Sequence, residues 1–97
     1  MDNKKQYFYV LLCKDNSFYG GYTTDLTRRL KEHKEGTGAK YTHPKSRRPL
    51  DIIHAEIFDT RSQATQAEAF FKSLSRLEKE NYLRLHQDRN VWHKTQH

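Results

Sequence analysis

Two adjacent arginines, Arg28 and Arg29, lie in a stretch with helical periodicity, and their spacing separates them. Arg29 falls on the same face as Leu26, Leu30 and His33, whereas Arg28 points away. An arginine at the margin of an apolar face is held close to the body of a domain. Its planar fork can clamp a phosphate and stabilise developing negative charge. The plainer use of the same position is a stem lying on the apolar face with its head in water. His33 stands one turn beyond Arg29, where an imidazole can contact phosphate, protonate a leaving oxygen, or only pack. Glu68 sits at the margin of a second apolar face, beside Ala64 and Phe71, and Lys72 follows at i+4 in the favourable order for an ion pair. Tyr9 and Tyr19 lie in strand-like segments, where aromatic residues are favoured for packing alone. A phenol with a pKa of about 10 is a poor base at neutral pH, so a tyrosine doing proton chemistry needs a metal or cation beside it. Lys40, Lys45, Arg47 and Arg48 form a basic loop that is either simply solvated or a guide for a phosphate backbone. The six histidines show no ligand spacing, and one cysteine provides no paired thiolates, which excludes a structural zinc site. Cys13 reads as a small packed residue rather than a nucleophile.

These side chains need a scaffold, and the pattern supplies one. Tyr7 to Cys13 alternates with apolar residues on both faces, as a central, doubly covered strand does. Lys14 to Ser17 is a turn cluster, and Phe18 to Thr23 completes a hairpin. Gly20 and Gly21 inside that second strand predict a bulge or a close approach by another group. Tyr9 and Tyr19 share a face only if the hairpin loop has an odd number of residues or a bulge intervenes. Thr24 or Asp25 caps a helix running to about Glu35, which Gly36 ends. After the loop Gly36 to Leu50, the alternation of Ile53, Ala55 and Ile57 predicts a third strand over Asp51 to Phe58. Thr60 and Gln63 have capping-box spacing, with Ser62 as a competing cap, ahead of a helix over about Ser62 to Leu74. Ala64, Ala67, Phe71 and Leu74 face inward on it. Ser75 and Glu78 start a last helix to about His86. The expected fold class is α+β: a small three-stranded antiparallel sheet flanked by helices, in the order β-β-α-β-α-α. Residues 1–6 are expected to be a flexible N-terminus, residues 7–86 a single domain, and residues 87–97 a polar, mobile tail.

Composition sets the bounds. A chain of 97 residues with 34% hydrophobic content supports one domain with a small core, helped by its 12% aromatic residues. No stretch approaches the roughly 18 apolar residues of a membrane span. The polar N-terminus lacks the apolar segment of a signal peptide, so a cytoplasmic location without membrane contact is expected. A net charge of +6 suggests an anionic partner, of which nucleic acid is the commonest. The oligomeric state is left open.

The ordered set of short motifs is more specific than any one of them. Tyr7-Phe8-Tyr9 in the first strand is followed by Tyr19-Gly20-Gly21 in the second, and the next helix carries Leu26-Thr27-Arg28-Arg29-Leu30-Lys31-Glu32-His33. Gly38-Ala39-Lys40-Tyr41-Thr42 follows, then Glu68 with Lys72-Ser73-Leu74-Ser75-Arg76. Over roughly Tyr7 to Leu83 the chain resembles the GIY-YIG endonuclease superfamily, and within it the short stand-alone bacterial branch. The triplets depart from Gly-Ile-Tyr and Tyr-Ile-Gly, but Tyr9, Tyr19 and Gly21 survive. The resemblance implies a metal-dependent endonuclease that hydrolyses phosphodiesters, in DNA more than in RNA, in repair or processing. It implies Glu68 as ligand of one Mg²⁺ or Mn²⁺, an ion that commonly uses only one or two protein carboxylates. It implies Tyr9, Tyr19, Arg29 and His33 as catalytic residues, with one tyrosine helping to deprotonate water. Arg28, Lys40, Tyr41, Lys45, Arg47, Arg48 and Lys72 would line the nucleic-acid path, with Gly21 structural beside Tyr19. The alternatives are a non-catalytic nucleic-acid-binding module, or a subunit that needs a partner to become active.

Overall fold

A computed structural model describes residues 4–92. Three strands, β1 (Gln6–Cys13), β2 (Phe18–Thr23) and β3 (Leu50–Phe58), form an antiparallel sheet in the order β2-β1-β3. Three helices, α1 (Leu26–Lys34), α2 (Arg61–Lys72) and α3 (Arg76–Leu85), complete the α+β order expected from the sequence. β1 is the central strand, and its two faces lead to two separate cores. Tyr9, Leu11 and Cys13 pack with Leu26 and Leu30 of α1 and with Leu50, Ile52 and Ala55 of β3. Phe8 and Val10 pack against Phe71, with Ala67, Leu74, Tyr82 and Leu83 of the α2 and α3 side around them.

Local chemistry accounts for the boundaries. The hairpin closes on Cys13 and Ser17, whose backbone groups bond at 2.9 Å, leaving Lys14, Asp15 and Asn16 in the loop. Asn16 adopts φ 68°, the left-handed conformation that asparagine tolerates. The odd loop places Tyr9 opposite Gly21 and Tyr19 opposite Leu11, so the two tyrosines share the α1 face. Asp25 caps α1 by accepting from Arg28 N, and Gly36 leaves it at φ 82°. Thr60, not Ser62, caps α2 in a complete capping box with Gln63. Ser75 and Glu78 form the second complete box, at α3.

Three expectations need correction. Ile53, Ala55 and Ile57 do not share a face. Val10 pairs with His54 but Leu11 pairs with Ile52, so Ile53 is an extra residue in a bulge. Ile53 therefore joins the α2–α3 core, whereas Ala55 joins the α1 core. The polar stretch after His86 is docked as far as Trp92 rather than detached. Gln87–Arg89 forms a 3-10 turn, Val91 N donates to Ala55 O at 2.9 Å, and Trp92 packs on the α1 core. The expected mobility of residues 93–97 lies outside the described residues. At the other end, Gln6 belongs to β1 and its side chain accepts a hydrogen bond from Tyr22 Oη, while residues 1–3 are outside the described range.

Candidate active site

The glycine pair of β2 makes the site possible. A Cβ on Gly21 would lie 2.4 Å from both Cζ and Oη of Tyr9, so the Tyr9 ring lies across bare backbone. A Cβ on Gly20, on the other face, would meet Phe71 Cδ2 at 3.2 Å. The sheet is thinned on both sides at the same place. The Tyr9 hydroxyl can thus be reached from α1 and stands within electrostatic range of Glu68 on α2.

Tyr9 is 0% exposed, and its oxygen is the meeting point of the site. His33 Nε2 lies 2.7 Å away, and Arg29 Nε donates to it at 3.3 Å. Burial pushes the phenol up to about 12, despite the opposing pull of the Arg29 hydrogen bond and charge. Burial, and then the positive charge of Arg29, push His33 down to about 4, so the imidazole is neutral at physiological pH. The expectation that His33 contacts phosphate or protonates a leaving oxygen is corrected on this ground. It is 0% exposed and enclosed between Tyr9 and Thr42, whose Oγ1 is 2.8 Å from Nδ1. Tyr9 is likewise internal and cannot touch a bound polymer directly.

Arg29 and Arg28 part as the helical spacing requires. The Arg29 side chain is 28% exposed and is anchored at one end by Tyr9 and at the other by Glu32 Oε1, 3.0 Å from Nη1. Burial works against its charge, but the hydrogen bonds it donates to Tyr9 and Glu32 outweigh that and raise the guanidinium. Arg28, 60% exposed, sits near Asp25 and Glu32 at 3.9 and 4.0 Å. Arg28, Arg29 and Glu32 line a shallow cleft of about 310 Å³ with Tyr22, Thr23 and Thr24. An open cleft of this kind suits the backbone of a polymer rather than an engulfed small ligand.

Tyr19 is half-buried, its ring in a T-shaped contact with His33 at 5.5 Å and stacked on Tyr41 at 5.4 Å. Lys72 Nζ lies 5.3 Å over the Tyr19 ring and 2.8 Å from Glu68 Oε2. The Glu68 side chain is 21% exposed. Among the described residues no group of three or more His, Cys, Asp or Glu could hold a metal ion, so an all-protein cage is absent. A single partly exposed carboxylate fits Mg²⁺ or Mn²⁺, which would complete its shell with water and phosphate.

The basic loop divides in two. Arg47 lies 3.9 Å over the Tyr41 ring, donates to Tyr41 O at 3.0 Å and pairs with Asp15 at 3.3 Å. Arg48 donates to His43 O at 3.0 Å, and its guanidinium lies against Gly36. Both arginines fasten the loop to itself and to the hairpin, whereas Lys40 and Lys45 are exposed. Cys13 is buried and free, and burial pushes its thiol up, as suits a packed residue.

The matched family model settles the lineage: the GIY-YIG catalytic domain matches residues 5–81. The chain belongs to the GIY-YIG family. Among its relatives is the UPF0213 protein of Enterococcus faecalis, 65% identical over 85 residues, which cover 87% of this chain and 97% of that protein. The UPF0213 protein YazA of Bacillus subtilis is 53% identical over 83 residues, covering 86% and 82% respectively. The solution NMR structure of protein EF2693 from E. faecalis superposes with a TM-score of 0.62 at 58% identity, covering 96% of this chain and 98% of that one. That of the UPF0213 protein BH0048 from Bacillus halodurans gives 0.56 at 42% identity, covering 84% of each. Its fold is of the GIY-YIG nuclease type.

Two contributors to the site emerge only from the fold. Glu32 anchors Arg29, and its signal is the i+3 spacing from Arg29 on the same helix. Thr42 anchors His33 from a loop, where no periodicity marks it.

Proposed function

We propose that this GIY-YIG protein is a metal-dependent endonuclease that hydrolyses phosphodiester bonds in DNA, in repair or processing. The observation that carries the reading is the convergence of Tyr19 from β2, Arg29 from α1 and Glu68 from α2 around the buried Tyr9 hydroxyl, with all three partly open to solvent.

Arg29 is already oriented by Tyr9 and Glu32, so its remaining N–H donors can meet a non-bridging phosphate oxygen without reorganising. Tyr19 is the tyrosine able to touch substrate. Its hydroxyl would orient the attacking water, with the Lys72 cation over its ring and Tyr41 fixing the ring plane. Glu68 would hold Mg²⁺ or Mn²⁺, which supplies positive charge to polarise the phosphate and to favour hydroxide over water. Lys72 would then exchange its Glu68 contact for a phosphate oxygen. Lys40, Lys45 and Arg28 would follow the strand by charge alone, an arrangement that reads backbone and shape rather than bases.

The test is cleavage of labelled DNA and RNA panels, with and without Mg²⁺ or Mn²⁺, by the native protein, Glu68→Ala and Arg29→Ala. Metal-dependent cutting should fall about 100-fold or more in each variant, with Glu68→Ala retaining binding. Salt-sensitive binding without any cutting by the folded native protein would replace this reading with a binding module.

A further inference from the structure

A directed chain of hydrogen bonds connects the loop after α1 to Arg29. Thr42 Oγ1 donates to Ala39 O at 3.2 Å, and His33 Nδ1 lies 2.8 Å from Thr42 Oγ1. His33 Nε2 lies 2.7 Å from Tyr9 Oη, and Arg29 Nε donates to that same oxygen at 3.3 Å. A guanidinium can only donate, so Arg29 occupies a lone pair of Tyr9. If His33 carried its proton on Nε2, two donors would face the Tyr9 oxygen. The buried phenol O–H would then have no acceptor among the described residues, and leaving such a group unmet is costly. With the proton on Nδ1, Tyr9 donates to Nε2, His33 donates to Thr42, Thr42 donates to Ala39, and every polar group is met.

We infer that Thr42 is a positioning residue. It accepts a hydrogen bond from the Nδ1–H of His33, favours that tautomer, and so turns a Tyr9 lone pair toward Arg29. The loop is shaped for this contact. A Cβ on Gly38 would lie 2.6 Å from His33 Nδ1 and 2.9 Å from its backbone N, so only bare backbone fits where the loop crosses the imidazole. Thr42 and His33 are both fully buried, so water does not compete for the bond. The arrangement resembles the way an interior carboxylate sets the histidine tautomer in hydrolytic triads, with a hydroxyl as the orienting group. The structural part of the inference stands alone, and its catalytic consequence rests on the proposed nuclease reading.

The experiment is two-bond ¹H–¹⁵N NMR of the histidine rings in the native protein, Thr42→Val and Thr42→Ser, with cleavage kinetics on the same samples. The native protein and Thr42→Ser should show His33 as the Nδ1–H tautomer, with a slowly exchanging Arg29 Nε–H. Thr42→Val keeps the shape but removes the acceptor. With Nδ1–H unmet in one form and the Tyr9 O–H unmet in the other, it should show a mixture of both tautomers and faster Arg29 exchange, with kcat down about tenfold at unchanged KM. An Nε2–H tautomer in the native protein, or an unaltered tautomer in Thr42→Val, overturns the inference. Thr42→Ser behaving like Thr42→Val would also overturn it, because the hydroxyl would then not be what matters. A native protein that cuts nothing but shows the Nδ1–H tautomer refutes the nuclease reading and leaves the positioning of His33 standing.

Discussion

His33 concentrates the conflict between burial and ionisation that runs through the site. An unfolded histidine takes up a proton near 6.5, but in the fold burial and then the Arg29 charge hold His33 down to about 4. Between those values the unfolded chain binds more protons than the folded one, so stability rises with pH and is lost as pH falls. At roughly 1.4 kcal/mol per pH unit, the loss is about 3 kcal/mol across the window. Glu56, on the opposite face of the sheet, acts lower down. Burial pushes its carboxyl up, but hydrogen bonds from His54 at 2.8 Å and Tyr82 at 2.7 Å outweigh that and leave it below its usual range. Its contribution is present above the ordinary carboxylate range and disappears as pH falls through the depressed value. Urea unfolding at a series of pH values should therefore show the native protein weakening between pH 6.5 and 4, with His33→Gln flattening that limb. A native profile that stays level from pH 7 to 5 would show that His33 is not held neutral by the fold.

At the scale of elements, the uncovered side of β3 is the weak point of so small a sheet, since an open edge invites pairing with other chains. Asn90 closes it. Its Oδ1 accepts from Ala55 N and from Trp92 N, both at 3.0 Å, and its Nδ2 donates to Ile53 O at 3.4 Å. Asn90→Ala leaves the Ala55 N–H without that acceptor, at a cost of about 1–3 kcal/mol. Denaturant midpoints and amide exchange at Ala55 measure it, and an unshifted midpoint would show that the segment rests on β3 without holding it. The elements that sequence reveals most clearly are those whose signals are local. Thr60 with Gln63, and Ser75 with Glu78, cap their helices within one turn, and Leu26, Leu30 and His33 declare a face by spacing alone. The Ile53 bulge is different, because register depends on the partner strand, and a run of alternating apolar residues carries no mark of the residue that is skipped. Asn90 and Thr42 are hidden for the same reason: each acts on a group that the fold, not the chain order, brings near. His33 shows the division within one residue, for its face follows from helical spacing, but its full burial depends on the loop from Gly38 to Thr42 crossing over it.

For the whole molecule, the question is which charges remain free for a polyanion. A net charge of +6 implies attraction, but the fold spends some of its cations on itself. Arg47 is tied to Asp15 and Tyr41, Arg48 to His43 and the Gly36 turn, and Arg76 lies over Phe18 and pairs with Glu80. Lys40 and Lys45 are exposed on the same loop that covers His33, so this loop shields the buried chain of hydrogen bonds on its inner side and offers charge on its outer side. Each phosphate contact releases counterions, and the slope of log affinity against log salt changes by about 0.9 per contact on duplex and about 0.7 on single strands. Replacing Lys40 and Lys45 together by alanine should therefore make the slope shallower by about 1.4 on single strands or about 1.8 on duplex, with thermal stability unchanged. Arg48→Ala should do the reverse, lowering stability while the salt slope stays as it was, because its guanidinium serves the loop rather than the ligand. Titrations of a labelled oligonucleotide at several salt concentrations, beside thermal melts of the same variants, separate the two effects. A slope that responds to Arg48→Ala but not to the paired lysine replacement would mean that the loop opens on binding and that its inner arginine, not its outer lysines, meets the phosphate.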